Sequence, residues 1–257
     1  MLKNTVKISV KTIFAAAFWL IIWKVAAVRV NMELLLPDPL SVLSRMSEIV
    51  AEKSFASIVA ASLLRILAGI LAATVLGCIL AAFTHFLSFI KVITKPMMTV
   101  IKATPVASFI MLALVWIDRD SIPIFISFLM VLPVVWTNIT EGLRQIDKSI
   151  LEMSKLYKIG KFSMLKSIYF PAVFPYFSSS LRTSIGLAWK AGIAAEVLTV
   201  PKDSIGKMIY DSKSYFETTD LFAWTFFVIV LSLLIEILID TLLRKATLKY
   251  GRRNNDA

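Results

Sequence analysis

One cysteine, Cys78, and one histidine, His85, are all that the 257 residues hold of those types. That excludes a disulfide framework and leaves no Cys/His cluster for zinc, so each reads as a space-filling group in or beside an apolar run. No G-x-x-x-x-G-K-[ST] occurs: Gly160-Lys161 is followed by Phe162 and Gly206-Lys207 by Met208, with no Gly five residues before either Gly160 or Gly206. The chain therefore has no P-loop with which to bind ATP. G-x-S-x-G is also missing, and a Ser-His site would have only His85 to draw on. Basic patches interleaved with aromatics are absent, so the net charge of +11 makes no case for nucleic acid. No repeat, low-complexity tract or linker divides the chain. A single domain, 1–257, without enzymatic activity, metal or other cofactor is the expectation.

What is present is apolar. With 58% hydrophobic residues and a mean hydropathy of +0.79, the chain has more apolar surface than one soluble core can hide. The reading is an all-α, polytopic membrane protein with six transmembrane helices. The apolar runs fall at about 12–28, 56–86, 97–117, 122–140, 172–200 and 221–243. The first follows a basic stub and contains Lys24. It reads as an uncleaved span rather than a leader, because five more spans follow and Lys24 can snorkel to the interface. Between the first two spans, 42–51 is amphipathic and predicts a helix lying on the outer surface.

In the second span every fourth residue from its one charge is small: Arg65, Gly69, Ala73, Gly77, Ala81. Such a stripe lets helices approach closely and turns Arg65 toward protein. A basic turn with Lys91 and Lys95 leads to the third span, where Lys102 lies one turn inside and Thr104-Pro105 interrupts the helix. A kink facing the bundle interior is expected there. Asp118-Arg119-Asp120-Ser121 is a tight outer turn, and the fourth span is free of charge but contains Pro123, Pro133, Trp136 and Asn138.

The fifth span is the least apolar. Its Ser178, Ser179, Ser180, Arg182, Thr183, Ser184, Lys190 and Glu196 are expensive to set against hydrocarbon, which predicts a central, path-lining helix. A buried helix whose polar groups bond to neighbours is the structural alternative. The expected path residues are Trp136, Asn138, Ser184, Trp189, Lys190 and Glu196. Lys190 and Glu196 lie about 240° apart around a helix and cannot pair, so Arg65 is the candidate partner of Glu196. After an outer loop at 201–220, the sixth span carries Glu236, Asp240 and Arg244 four residues apart, with Asp240 and Arg244 in the acid-before-base order of a structural ion pair.

Between the fourth and fifth spans lies a polar island, 141–171, with six Lys/Arg against three acids. Ile146, Ile150, Met153 and Tyr157 recur at helical spacing, Gly160 breaks the pattern, and Phe162, Leu165, Ile168 and Tyr169 predict a second short helix before Pro171. The island therefore reads as a helical elbow on the membrane surface.

Here the sequence resembles the permease subunits of bacterial binding-protein-dependent ABC importers. Their cytoplasmic signature is Glu-Ala-Ala, three residues, Gly, nine residues, then Ile-x-Leu-Pro. Glu152-Met153-Ser154 stands at the first element and Ile168-Tyr169-Phe170-Pro171 at the last, whereas Lys158 stands where the family has Gly. Leu36-Pro37-Asp38-Pro39, Ser62-Leu63-Leu64-Arg65, Gly142-Leu143-Arg144 and Gly186-Leu187-Ala188-Trp189 resemble segments of the subfamily that imports nitrate, sulfonates, taurine and thiamine precursors. The resemblance covers nearly the whole chain. It implies that the elbow is a coupling helix docking on a separate ABC ATPase subunit through Glu152, Met153, Ser154, Tyr157, Lys158, Gly160, Lys161 and Pro171. It further implies a permease homodimer around one path, an extracytoplasmic substrate-binding protein outside, and residence in the bacterial cytoplasmic (inner) membrane.

Six spans with the elbow inside put both termini in the cytoplasm. Cytoplasmic segments then hold 17 Lys/Arg against 7 outside, the positive-inside bias. The rival reading is an ion-coupled secondary transporter with Arg65, Lys190, Glu196, Glu236 and Asp240 as a relay.

Overall fold

The computed structural model describes residues 2–252, with side chains for 14, 15 and 17–245. The sequence of the basic tail from Arg244 onward predicts disorder at its end, and residues 253–257 lie outside the described residues. No strand occurs among them, and the chain is a succession of helices. α1 (Leu2–Val30) is followed by the short amphipathic α2 (Pro39–Ala51), started by Asp38, whose carboxylate accepts from Leu40 N and also pairs with Lys24. α3 (Phe55–Phe86) and α6 (Ile122–Arg144) are long and apolar enough to cross a membrane, as is 218–245 of the last helix, α11 (Thr218–Arg252). α1 and α9 (Phe170–Thr199) reach crossing length at 29 and 30 residues, but α9 is too polar to qualify by composition.

The centre is α6, buried nearly all round and flanked by α3 and α9. The small-residue stripe of α3 makes this possible: Gly69, Ala73, Gly77 and Ala81 are all buried. A Cβ on Gly69 would stand 2.4 Å from Ile124 O, and one on Gly77 2.9 Å from Val135 Cγ1, so α3 touches the backbone of α6. Gly192 of α9 closes the triangle, since its Cβ would meet Ile66 of α3 at 2.6 Å and Ser127 of α6 at 2.8 Å.

In place of a single third helix over 97–117, α4 (Ser88–Ala103) and α5 (Val106–Ala113) are bent by 102° about Thr104-Pro105. Lys91 and Lys95 lie inside α4 rather than in a turn. The cause is local: Pro105 cannot continue α4 and biases Thr104 to an extended backbone, ψ 129°. Pro105 is exposed, so this chain alone does not enclose the bend. Lys102 reaches across it to donate to Thr137 Oγ1 at 2.8 Å.

The segment 201–220 is helical as well. α10 (Ile205–Ser214) is capped by Ser204, whose Oγ accepts from Lys207 N at 3.0 Å, and it packs on α9 and α11. At the same end Arg45 of α2 grips Asp220 of α11 with two bonds of 2.7 and 2.8 Å. Asp220, and next Glu48, raise the guanidinium pKa further above its already high ordinary value.

Candidate coupling elbow and translocation face

The elbow begins with α7 (Lys148–Leu156). Asp147, extended at φ −62° and ψ 127°, is its N-cap and accepts from Ser149 N at 2.9 Å. That bond holds the Asp147 carboxyl below the usual carboxylate range. With the folded pKa depressed, the cap stabilises α7 above the ordinary carboxylate pKa of about 4 and is lost as pH falls through the folded value. Acidification below about pH 4 should therefore expose the elbow to an acid-active protease, and Asp147→Ala should leave it equally cleavable on both sides of that pH.

The left-handed residue that closes α7 is Lys158, not Gly160. Lys158 takes φ +50°, its N–H donates to Lys155 O at 3.0 Å, and Ile159 N donates to Ser154 O at 2.9 Å, which together form a Schellman cap. Gly160 has φ −62°, and a Cβ there would meet nothing, so it needs no glycine. The left-handed residue is thus the one where the resembling family carries Gly. Lys158→Gly should stabilise the elbow by about 0.5–1 kcal/mol, read as slower proteolysis of 147–160, by relieving the Cβ clash of that conformation.

The expected apolar face divides. Ile146 precedes α7 and is buried, whereas Ile150, Met153 and Tyr157 are 42%, 55% and 74% exposed, joined by Leu156 at 83%. The side turned inward joins Leu151, half-buried against the core, with Ser154, which is buried and donates to Leu151 O at 2.7 Å and to Met164 Sδ at 3.2 Å. Glu152, Lys158, Gly160 and Lys161 all point outward. After the cap, α8 (Lys161–Met164), a π-helical segment (Leu165–Tyr169) and α9 form one continuous rod. Pro171 lies inside that rod and does not start a new helix after a break. The wider π turn precedes a residue that has no N–H to give.

At the opposite end Arg65 and Glu196 meet at 3.6 Å, an ion pair rather than a hydrogen bond. Glu196 is fully buried, and its Oε2 accepts from Ser62 Oγ at 2.8 Å and Gly206 N at 3.2 Å. Ser62 in turn accepts from Ile205 N at 2.9 Å. The Arg65 fork also donates to Lys202 O at 2.7 Å and Asp203 O at 3.2 Å, with Asp120 at 3.8 Å. One guanidinium and one carboxylate thus bind α3, α9, the start of α10 and the 118–121 turn together. The sequence pointed to Arg65 and Glu196 but missed Ser62, whose place three residues before Arg65 on one helical face was the available signal; the backbone partners left none.

The expected path set is separated by packing. Trp136, Ser184, Trp189 and Glu196 are enclosed by protein, and Trp189 Nε1 donates to Val228 O at 3.0 Å. Asn138 is half-buried and donates to Val134 O at 2.9 Å. Of the six, Lys190 alone is exposed. It shares one face of α9 with the exposed Ser179, Thr183 and Ala194. Nearer the elbow, Asp240 pairs with Arg244 as expected and also with Arg182 of α9 at 3.1 Å, a contact between helices that spacing could not reveal.

Residues 66–247 match the family described as binding-protein-dependent transport system inner membrane component. The nitrate import permease protein NrtB of Synechocystis sp. is 27% identical over 77% of this chain and 74% of its own length. The bicarbonate transport system permease protein CmpB of Synechococcus elongatus is 25% identical over 68% of this chain and 64% of its own. The taurine transport system permease protein TauC of Escherichia coli is 21% identical over 97% and 92%. With that match over most of its length and an all-helical architecture to go with it, the chain belongs to the binding-protein-dependent transport system inner membrane components.

Proposed function

We propose that this chain is the membrane-spanning subunit of an ATP-driven importer of a small polar solute, worked by docking of the elbow on a separate ATPase. The observation that carries the reading is the outward stripe of α7. Ile150, Met153, Leu156 and Tyr157 cover no part of this chain's core, yet they stand on a rigid, capped helix ringed by Glu152, Lys155 and Lys158. An apolar helix face with a charged rim fits a groove on a partner. The chain has no P-loop of its own, so energy has to enter through such a contact. Because α8, the π segment and α9 are continuous, a push that α7 passes to α8, with which Ser154 and Met164 are in contact, carries on into α9 as a tilt.

The open face of α9 with Ser179, Thr183 and Lys190 is the proposed path wall, completed by a second copy of the chain. Lys190 has no ion-pair partner among the described residues, which favours a cargo with an anionic group, in keeping with the nitrate, the bicarbonate and the sulfonate-bearing taurine of the relatives' names. The proposed setting is the inner membrane with the elbow and both termini cytoplasmic, and a substrate-binding protein docking outside. Affinity purification of the tagged chain from its host in mild detergent should recover a P-loop ATPase. Tyr157→Ala should weaken that association about 30-fold if the ring is a hot spot, and Glu152→Lys should weaken it as well. Normal co-purification and uptake in both variants would remove the coupling role. Uptake by the chain alone in ATP-free vesicles would favour the ion-coupled reading instead.

A further inference from the structure

Behind the elbow, α3, α6 and α9 leave a cavity of about 670 Å³. Cys78 of α3, Ile139 of α6, Val173 and Phe177 of α9, and Tyr169 of the π segment form its walls, and Lys161 is the one charged residue lining it among the described residues. Phe86 and Leu165 also line it and are 67% and 57% exposed, so the cavity opens to the outside of the chain. A space of this size and apolarity suits neither water nor a polar cargo, since water needs several polar partners. It lies at the elbow end of the bundle, where membrane-crossing helices meet surface helices. Lys161 is exposed and gives the lining its positive charge, no acid lines the cavity among the described residues, and the exposed Lys158 and Lys166 lie close by in sequence without lining it.

We infer that this cavity holds one acyl chain of an anionic phospholipid from the adjoining leaflet, with the Lys161 ammonium on its phosphate. The apolar walls take the chain, and the cation selects the headgroup, as basic residues at membrane surfaces do. Since the walls come from α8, the π segment and α9 together, the lipid would join the elbow to the long helix it continues into. The inference is independent of which partner docks on α7, and it uses the proposed orientation only to say which leaflet supplies the lipid.

The test uses the full chain, delipidated in detergent and supplied with dioleoyl phosphatidylglycerol or dioleoyl phosphatidylcholine. Native mass spectrometry should show phosphatidylglycerol retained preferentially. Alkylation of Cys78, the chain's single thiol, by N-ethylmaleimide should be slower in phosphatidylglycerol than in phosphatidylcholine. Lys161→Glu should lower phosphatidylglycerol retention about fivefold while leaving phosphatidylcholine unchanged. Ala82→Phe, which fills the cavity from α3, should abolish retention of both. Equal retention of the two lipids by the unaltered chain would overturn the inference. So would a Cys78 rate indifferent to lipid, or one slowed only when a partner protein is bound. Because Lys161→Glu and the thiol rate involve no core substitution, a fold failure in Ala82→Phe leaves the test intact.

Discussion

Replacing Arg65 with methionine is expected to destabilise the folded chain by about 3–5 kcal/mol, because it strands the fully buried carboxylate of Glu196 without its cation. The loss would extend past the pair. The same guanidinium holds the carbonyls of Lys202 and Asp203 and stands beside Asp120, so its removal also frees the start of α10 from α3. Arg65→Lys should recover only part of the stability, since a single ammonium cannot reach that many acceptors in a fork. The double variant Arg65→Met with Glu196→Leu should be more stable than Arg65→Met alone, because an apolar pair carries no stranded charge. Unfolding midpoints of the detergent-solubilised proteins decide it: a single variant that unfolds with the wild type would show that the node carries little.

The second large effect is expected at Gly69. Its Cβ position lies 2.4 Å from a backbone oxygen of α6 and 2.8 Å from Ser127 Cβ, so Gly69→Val cannot be absorbed by a side-chain rotation. Pushing α3 away from α6 would open one of the two most extensive contacts in the bundle. The cost should reach about 3 kcal/mol, the upper part of the range for overpacked cores. Gly160→Ala is the control: with open space around it and φ −62°, it should be neutral or stabilising by up to about 1 kcal/mol. A Gly69→Val chain of wild-type stability would mean that α3 and α6 are not held at this distance.

The two predictions mark where the sequence could be read and where it could not. The stripe from Arg65 to Ala81 was legible because helical periodicity is a local property, and a row of small residues has one evident use in a bundle. The pairing of Arg65 with Glu196 followed by elimination, since a buried acid needs a cation and few were available. The enclosure of Trp189 and Ser184, by contrast, depended on which sides of α9 its neighbours occupy. Polar content marked α9 as important but did not say which of its polar residues face protein. The same limit applies in the elbow, where spacing found the apolar stripe of α7 but not that it faces away from the chain.

By itself, then, the sequence determined the all-helical membrane class, the polar elbow with its apolar stripe, the close-packing face of α3 and the lack of a P-loop motif. These rest on composition and on periodicities only a few residues long. The kink at Thr104-Pro105 was legible, but tertiary structure decided its size, 102° between α4 and α5, together with the π segment that fuses the elbow to α9, the helical 205–214 and the left-handed turn at Lys158. It also decided the Arg45 and Arg182 pairings across distant helices. Each of these is a compromise between a local preference and a neighbour's position, and a neighbour's position is written nowhere in a local window of residues.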